Sequence, residues 1–205
     1  MSTGKIGHIY PEISDKCIEC NKCIRTCPVN NPVQLISPKK TLAFWIKDDN
    51  EHQSSTSGGA AACFTNWILE NGGAVYGCAS LPHGVIEHIR IDKIYDAYKL
   101  KGSKYVHSHI NDIFKTIKDD LKANRKVLFV GLPCQVAGLK NFIGKSSSEL
   151  YTIDLICHGV PSQQVLFEYI ASLGIKRNNV ELVAFREAKG YYLTIKSSDR
   201  SIYHK

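Results

Sequence analysis

A run of four closely spaced cysteines near the N-terminus restricts what this chain can be more than any other feature. Cys17, Cys20, Cys23 and Cys27 follow the pattern C-x2-C-x2-C-x3-C, and Pro28 comes directly after it. Two-residue gaps allow a tight loop to direct successive thiolates at one inorganic core, and this spacing is typical of a [4Fe–4S] cluster. Zinc sites more often use two C-x2-C pairs held well apart, so zinc or a disulfide knot is the less favoured alternative.

The run leaves its fourth ligand open. In proteins with two such runs the fourth cysteine ligates the other cluster, and this chain contains one run. Either Cys27 completes the cluster locally, or a distant cysteine takes its place. Cys134 and Cys157 are the distant candidates, for reasons that come from the second half of the chain.

The cysteine content also indicates the cellular compartment. The chain has eight cysteines, and its first residues, M-S-T-G-K-I-G-H, contain no apolar signal segment. Cysteines in a reducing compartment serve metals or catalysis more often than disulfides, so a cytoplasmic protein is expected. No stretch approaches the roughly 18 apolar residues of a membrane span.

A formal net charge of +7 raises the question of an anionic partner. The lysines are scattered along the chain, and no nucleic-acid recognition motif is evident, so no nucleic-acid partner is expected. An ordinary solvated surface, an anionic cofactor or an acidic redox partner accounts better for the charge.

The hydrophobic pattern predicts three regions. Residues 1–40 form a small module around the cysteines with little apolar material, so its metal would hold it together. The polar stretch within 41–57 is typical of a linker. Residues 58–205 form an α/β domain, with helices expected over 60–70, over 109–124 (capped by Ser108 or Asn111) and between Ser162 and Gly174.

Strands in this domain are expected over 74–79 and 85–91, and further strand-like segments over 180–186 and 191–197. The apolar runs 126–130 and 150–156 predict buried strands, each followed by a loop and a helix. Strand–loop–helix units in succession imply parallel strands with right-handed crossovers. The expected fold is therefore α/β, with a mixed, mainly parallel sheet and flanking helices.

The two strand–loop junctions carry the residues best suited to chemistry. One reads Gly131-Leu-Pro-Cys-Gln135 and the other begins Cys157-His158-Gly159. Because open α/β sheets bind ligands beyond the carboxyl ends of their strands, Cys134 and Cys157 are expected to face one crevice. A helix dipole would favour the Cys134 thiolate, whereas small buried cysteines are the alternative. His158 is the candidate proton donor.

Two further stretches are suited to anion binding. Ser54 to Gly59 precedes a helix, and its hydroxyls and N–H groups are able to hold a phosphate or flavin pyrophosphate. Lys101 to Tyr105 is a basic, Gly-containing turn with the same capacity. A capped linker and a solvated loop are the respective alternatives. The segment Gly144-Lys145-Ser146 is not a Walker A loop, because Leu139 stands where that motif needs glycine.

Taken in order, these stretches resemble the coenzyme F-420 hydrogenase/dehydrogenase beta-subunit family of iron–sulfur flavoproteins. The matching stretches are the cysteine run, S-S-T-S-G-G at 54–59, G-G-A-V-Y-G at 72–77, K-G-S-K-Y at 101–105, V-L-F-V-G-L-P-C-Q-V-A-G-L at 127–139 and D-L-I-C-H-G-V-P-S at 154–162. The resemblance spans about residues 7 to 190.

The resemblance implies a ferredoxin-type module on an α/β domain that binds FAD. Family members pass electrons between a 4Fe-4S cluster and the flavin, and hydride between the flavin and an organic substrate, which is the deazaflavin F-420 in methanogen members. The implied partners are a ferredoxin or a hydrogenase/dehydrogenase subunit, and a homo-oligomer is compatible with this. By position, the resemblance implies a flavin site at Ser57, Gly58, Gly59, Gly102, Ser103, Lys104, Tyr105, Gly131, Pro133, Cys134 and Gln135.

The chain departs from the family pattern in three respects. It has one cysteine run where many members have two, and it stops in a strand-like segment, Ser201 to Lys205, where members commonly continue. The family often has an Arg-Asp pair where Arg186 and Glu187 stand. These departures predict a shortened member whose α/β domain is incomplete at its C-terminus.

Overall fold

A computed structural model describes residues 2–186, 190–199 and 201–204. Glu187 and Lys205, which entered the comparison with the family pattern, lie outside the described residues. The helices are α1 (Lys22–Thr26), α2 (Asp49–Gln53), α3 (Ala60–Glu70), α4 (Ile113–Lys122), α5 (Pro133–Ile143) and α6 (Gln163–Ser172). The strands are β1 (Ser2–Thr3), β2 (Ile9–Tyr10), β3 (Ala74–Leu81), β4 (Val85–Ile91), β5 (Val127–Gly131), β6 (Leu150–Asp154), β7 (Val180–Ala184), β8 (Leu193–Ser197) and β9 (Ser201–His204).

A four-stranded sheet with the order β4-β3-β5-β6 forms the centre of the α/β domain. β3, β5 and β6 are parallel, whereas β4 pairs with β3 as an antiparallel hairpin. β7, β8 and β9 form a separate antiparallel sheet. The mixed, mainly parallel sheet with flanking helices is thus confirmed.

The core lies on both faces of the two inner strands. Tyr76 and Phe129 point to one face, where they pack with α4 and α5. Val75 and Leu128 point to the other face, where they pack with α3. This alternation follows from the two-residue period of a strand and produces two packed layers around the sheet.

Strand β6 corrects one expectation. The apolar run 150–156 predicted a buried strand, but Tyr151 and Leu155 are exposed, because β6 is an edge strand of the sheet. The regular strand also ends at Asp154.

The start of α4 corrects a second expectation. The helix begins at Ile113, and the position before it, Asp112, is its N-cap. Ser108 is buried, and residues 107–109 run beside β4, where the His109 N–H donates to the Ile86 carbonyl (3.1 Å). Asn111 adopts φ 46° and donates to Glu87 (2.8 Å). Neither predicted cap residue therefore caps the helix.

The cysteine segment packs against the α/β domain. It has no core of its own, since none of the described residues up to 50 is buried. Ser162 occupies the predicted N-cap position of α6, yet its hydroxyl donates to the Ile6 carbonyl (2.6 Å). Gly7 then passes so close to α6 that a Cβ on it would clash with Gln164 Cβ. The side-chain amide of Asn141 donates to the Asn31 carbonyl at 2.6 Å.

The polar stretch predicted as a linker contains α2, which Asp48 caps by accepting from the Glu51 N–H (2.8 Å). Among the described residues, no helix combines the length and apolar character needed to cross a bilayer.

Candidate functional site

The carboxyl ends of β5 and β6 lie side by side at the sheet edge where the sequence predicts a crevice, and the chain carries a cysteine shortly after each strand. The Leu155 N–H donates to the Gly131 carbonyl (2.9 Å), which ties the two strand ends together. Gly131 must be glycine, because a Cβ there would lie 2.7 Å from the Phe129 ring. Cys134 is exposed in the first turn of α5, and Cys157 is half-buried in the loop after β6.

The two thiols are close enough to influence each other. Burial raises the pKa of Cys134, the N–H of Gln135 lowers it, and the nearby Cys157 raises it further; the net direction is upward. The backbone N–H groups at the helix N-terminus do lower the pKa of Cys134, as predicted, but burial raises it by more. The prediction that the thiolate is favoured overall is therefore wrong. The Gly159 N–H also lies 3.3 Å from Cys157 Sγ.

The same helix connects this crevice to the cysteine run. Cys134 and Gly138 are four residues apart on α5, so they lie on one face of the helix. A Cβ on Gly138 would lie 3.8 Å from the Thr26 carbonyl oxygen. Thr26 directly precedes Cys27. One face of α5 thus carries Cys134 at its start and supports the end of the cysteine run one turn later.

The four cysteines of the run lie in an exposed loop interrupted by α1. Cys17, Cys20 and Cys23 are exposed, and Cys27 is half-buried. α1 ends at Thr26, and Pro28 follows its C-cap residue, Cys27. Within residues 2–186, 190–199 and 201–204, no three His, Cys, Asp or Glu side chains lie close enough to bind one metal ion. The geometry therefore does not show the predicted ferredoxin-type module. The run provides thiol groups of the kind that bind a cluster, but they are not arranged around one metal ion.

A buried polar network holds the loop that carries Cys134. The Val130 carbonyl accepts from His88 Nε2 (3.0 Å), so the proton lies on Nε2 and Nδ1 accepts from the Ser108 hydroxyl (3.0 Å). Gln135 Nε2 donates to Ser108 Oγ (3.1 Å), and Gln135 Oε1 accepts from the Leu132 N–H (3.0 Å). Burial lowers the pKa of His88 to about 4, which keeps the imidazole neutral.

The network extends to the predicted turn at 101–105. Lys104 is half-buried, and its ammonium donates to the carbonyls of Cys78 (2.8 Å), Lys101 (2.8 Å) and Leu100 (3.3 Å). Burial of the ammonium lowers the pKa of Lys104 to about 8. Burial also raises the pKa of the Cys78 thiol, while Lys104 and the Ser108 hydroxyl lower it. Lys104 therefore orders the turn from inside.

A cavity of about 550 Å³ brings two of the predicted flavin residues, Ser57 and Gly102, together. It is lined by His52, Gln53, Ser54, Ser55, Thr56, Ser57, Gly102 and Arg186. Lys101 joins the two loops, because its ammonium contacts Glu51 (2.8 Å) and Ser54 Oγ (2.7 Å). Arg186 is held over the Tyr191 ring at 4.3 Å. Sequence reasoning placed no ligand contact on Arg186.

The remaining predicted residues have structural surroundings of their own. Gly58 and Gly59 precede α3, and Gly59 adopts φ 77° with Ile46 Cδ1 only 2.6 Å from where its Cβ would be. Tyr105 packs edge-to-face on Phe185 (6.0 Å). Ser103 is half-buried in the turn, Pro133 is exposed at the start of α5, and His158 is exposed beside Cys157.

Parts of this chain are similar in sequence to known proteins. Residues 124–204 match the sequence model of a family described as the C terminus of the beta subunit of coenzyme F420 hydrogenase/dehydrogenase. The chain is 27% identical over 175 residues to the coenzyme F420-dependent sulfite reductase of Methanocaldococcus jannaschii, a match that covers 80% of this chain and 26% of that protein. The chain thus spans about a quarter of the length of this relative.

Its fold is similar to that of a chain in the F420-reducing [NiFe] hydrogenase complex from Methanosarcina barkeri, solved in a xenon derivative. The TM-score is 0.51 at 16% identity, over 78% of this chain and 57% of that chain. The two sequence similarities support the family that the motifs resemble, as predicted, and the structural similarity shows a shared fold.

Proposed function

We propose that this chain, whose sequence resembles the coenzyme F420 hydrogenase/dehydrogenase beta-subunit family, is an oxidoreductase passing electrons between a 4Fe-4S cluster and FAD. Hydride would pass between FAD and an organic substrate, a deazaflavin or a related compound. The observation that most supports this is that one face of α5 carries both Cys134 and, one turn later, Gly138, which packs near the Thr26 carbonyl at the end of the cysteine run. A cluster on that run would lie beside the crevice at the strand ends.

The cysteines fit an iron–sulfur cluster by their chemistry. Cys17, Cys20 and Cys23 would supply three thiolates, and Cys27 or one crevice cysteine would supply the fourth. Exposure of the run leaves the thiols accessible to iron. The protein's own contribution is to hold the loop: Arg25 Nη2 donates to the Cys20 carbonyl (3.1 Å) and the Asn31 N–H donates to the Cys27 carbonyl (2.8 Å).

The cavity at Ser54 to Ser57 fits the pyrophosphate part of FAD. Among the described residues, its lining includes Arg186 and no carboxylate. Ser55 Oγ is buried without a hydrogen-bond partner among the described residues, which is costly unless a ligand supplies one. Gly102 adopts φ 76° with open space above its Cα, so a ligand is able to approach its backbone. The N-terminus of α3, which lacks a side-chain cap, offers further N–H donors.

Bound FAD would supply the conversion between one-electron and hydride chemistry. The loop Gly131–Gln135 would approach it from the strand ends, with Gln135 held by Ser108 and Leu132. His158, exposed beside Cys157, would exchange a proton with the substrate.

Cluster content in matched variants tests this proposal. We expect Cys20→Ser to lose most of its iron after anaerobic reconstitution, and Cys63→Ser, an exposed cysteine on α3, to keep it. If Cys134 or Cys157 is the fourth ligand, its serine variant will lose iron or shift the cluster spectrum, whereas Cys27→Ser will not. Equal iron in Cys20→Ser and Cys63→Ser would contradict the proposal.

A second pair of variants tests the α5 contact. Gly138→Ala places its Cβ at ordinary contact distance, 3.6 Å from Phe114 and 3.8 Å from the Thr26 oxygen. Gly138→Leu adds atoms that have no room there, so we expect faster proteolysis within residues 14–30 and a lower cluster yield. Identical behaviour of the two variants would show that this contact does not support the run.

An electron carrier without flavin is the second candidate. It is favoured by Lys104, a predicted flavin residue, because its ammonium donates to three backbone carbonyls and is not directed at a ligand. An FAD assay on the anaerobically purified chain separates the two, since the carrier would hold iron and sulfide alone.

A further inference from the structure

Two lysines from different helices converge on one aromatic ring beside the cysteine run. Lys22 Nζ of α1 lies 4.5 Å from the centroid of the Phe142 ring, and Lys118 Nζ of α4 lies 5.8 Å from it. No carboxylate lies within 4.0 Å of either ammonium among the described residues, while Asp112 and Asp119 on α4 are paired with other lysines. Like charges brought together without a counter-ion create a positive potential that attracts an anionic group.

Two more lysines lie near the end of α5, at a cavity that borders the cysteine segment. Lys140 and Lys145 line this cavity of about 510 Å³ together with Asn31, and its described lining contains no carboxylate. Asn31 belongs to the cysteine segment, because its N–H donates to the Cys27 carbonyl (2.8 Å). Lys22, Lys118, Lys140 and Lys145, here called the lysine surface, therefore flank the predicted cluster site.

Large apolar side chains are exposed in the cysteine segment, close in sequence to Asn31. Val29, Leu35 and Ile36 are 85%, 90% and 84% exposed, and they flank Asn31 in sequence. Apolar residues bordered by charged ones are typical of a protein interface, whereas a surface that binds only phosphates needs no apolar part.

We propose that the lysine surface and the exposed apolar residues beside it dock an acidic electron-carrier protein, which exchanges electrons with the cluster. This inference rests on the proposed function and adds the place on the chain where its redox partner docks. Complementary charge would steer the carrier to the cysteine run and fix its orientation there, with the apolar residues forming the centre of contact.

Calorimetric binding to a small [4Fe–4S] ferredoxin of strongly negative net charge tests the inference. The anaerobically reconstituted full chain should lose about tenfold or more in affinity between 20 and 200 mM salt. The double variant Lys22→Glu/Lys118→Glu should bind about tenfold or more weakly at low salt, and with a smaller salt dependence. The control Lys176→Glu/Lys196→Glu changes the net charge equally at exposed positions near the second sheet, and we expect its affinity to change less than twofold.

Equal weakening of both double variants would overturn the inference, because net charge and not this surface would then govern binding. Tighter binding of phosphatidylglycerol vesicles or an RNA oligonucleotide, lost in the first double variant, would overturn it as well. The absorbance of the cluster, recorded on every sample, shows whether the proposed function fails separately. A chain that holds no cluster but binds the ferredoxin through Lys22 and Lys118 refutes the cluster and leaves the docking surface standing.

Discussion

Mild acid should destabilise this fold through His88. The side chain is only 3% exposed and stacks on the Phe129 ring at a centroid distance of 5.1 Å. In the neutral form, Nε2 donates to the Val130 carbonyl and Nδ1 accepts from Ser108. Protonation would place a second N–H opposite the Ser108 hydroxyl and bury a charge. Burial accordingly lowers the pKa of His88 from 6.5 to about 4.

The size of the effect follows from proton linkage. An unfolded histidine titrates near pH 6.5, so between about pH 6.5 and pH 4 the unfolded chain binds a proton that folded His88 does not. Stability from this group is fully present above the unfolded pKa and falls as the pH drops through this window. At pH 5 the loss is about 2 kcal/mol, since each unit contributes about 1.4 kcal/mol. The pKa of His107 is lowered as well, again mainly by burial, and adds a loss of the same sign.

Urea unfolding followed by tryptophan fluorescence between pH 7.5 and 5.0 measures this dependence. We expect His88→Gln to lose most of the pH dependence, whatever its stability at pH 7.5. His83→Asn is the matched control, because His83 is exposed with φ 64°, a conformation that asparagine also adopts. If His88→Gln keeps the wild-type slope, the structural explanation of the low His88 pKa is refuted.

Two further predictions concern buried polar contacts. Ser108→Ala should lower the free energy of unfolding by about 1–3 kcal/mol at neutral pH, because His88 Nδ1 loses its hydrogen-bond donor. The control Ser148→Ala, at an exposed position, should change it by less than about 0.5 kcal/mol. Equal losses for the two variants in urea titrations would contradict the buried hydrogen-bond network. Asp120→Asn should also cost about 1–3 kcal/mol, because Asp120 accepts from Tyr76 (2.7 Å) and Arg90 (2.8 Å), and thermal unfolding of Asp119→Asn, at an exposed position on the same helix, provides the comparison.

Much of the α/β domain could be predicted from local sequence signals. The helix over 60–70 and the strand over 85–91 have the bounds expected from their patterns. Gly144 ends α5 in the left-handed conformation, as a glycine after a helix often does. These features depend on residues near one another in the chain, so periodicity and turn chemistry are sufficient to find them.

The features that sequence could not supply depend on long-range contacts. Ser108 has the pattern of a helix cap, yet residues 107–109 pair with β4 and carry it to His88 and Gln135. Ser162 likewise has the pattern of a cap but bonds to Ile6, which is distant in sequence. The sequence marks Arg186 only as part of a family pair and not as a cavity residue, because only the folded chain brings it to the Ser54–Ser57 loop.

The cofactor content of the wild-type chain tests the central claim most directly. After anaerobic purification and reconstitution, we expect about four iron atoms, about four sulfide ions and about one FAD per chain. Reductant should then bleach both the cluster and the flavin absorption. Iron and sulfide without FAD would contradict the flavoprotein proposal, and a chain that binds neither group would contradict the proposed redox function as a whole.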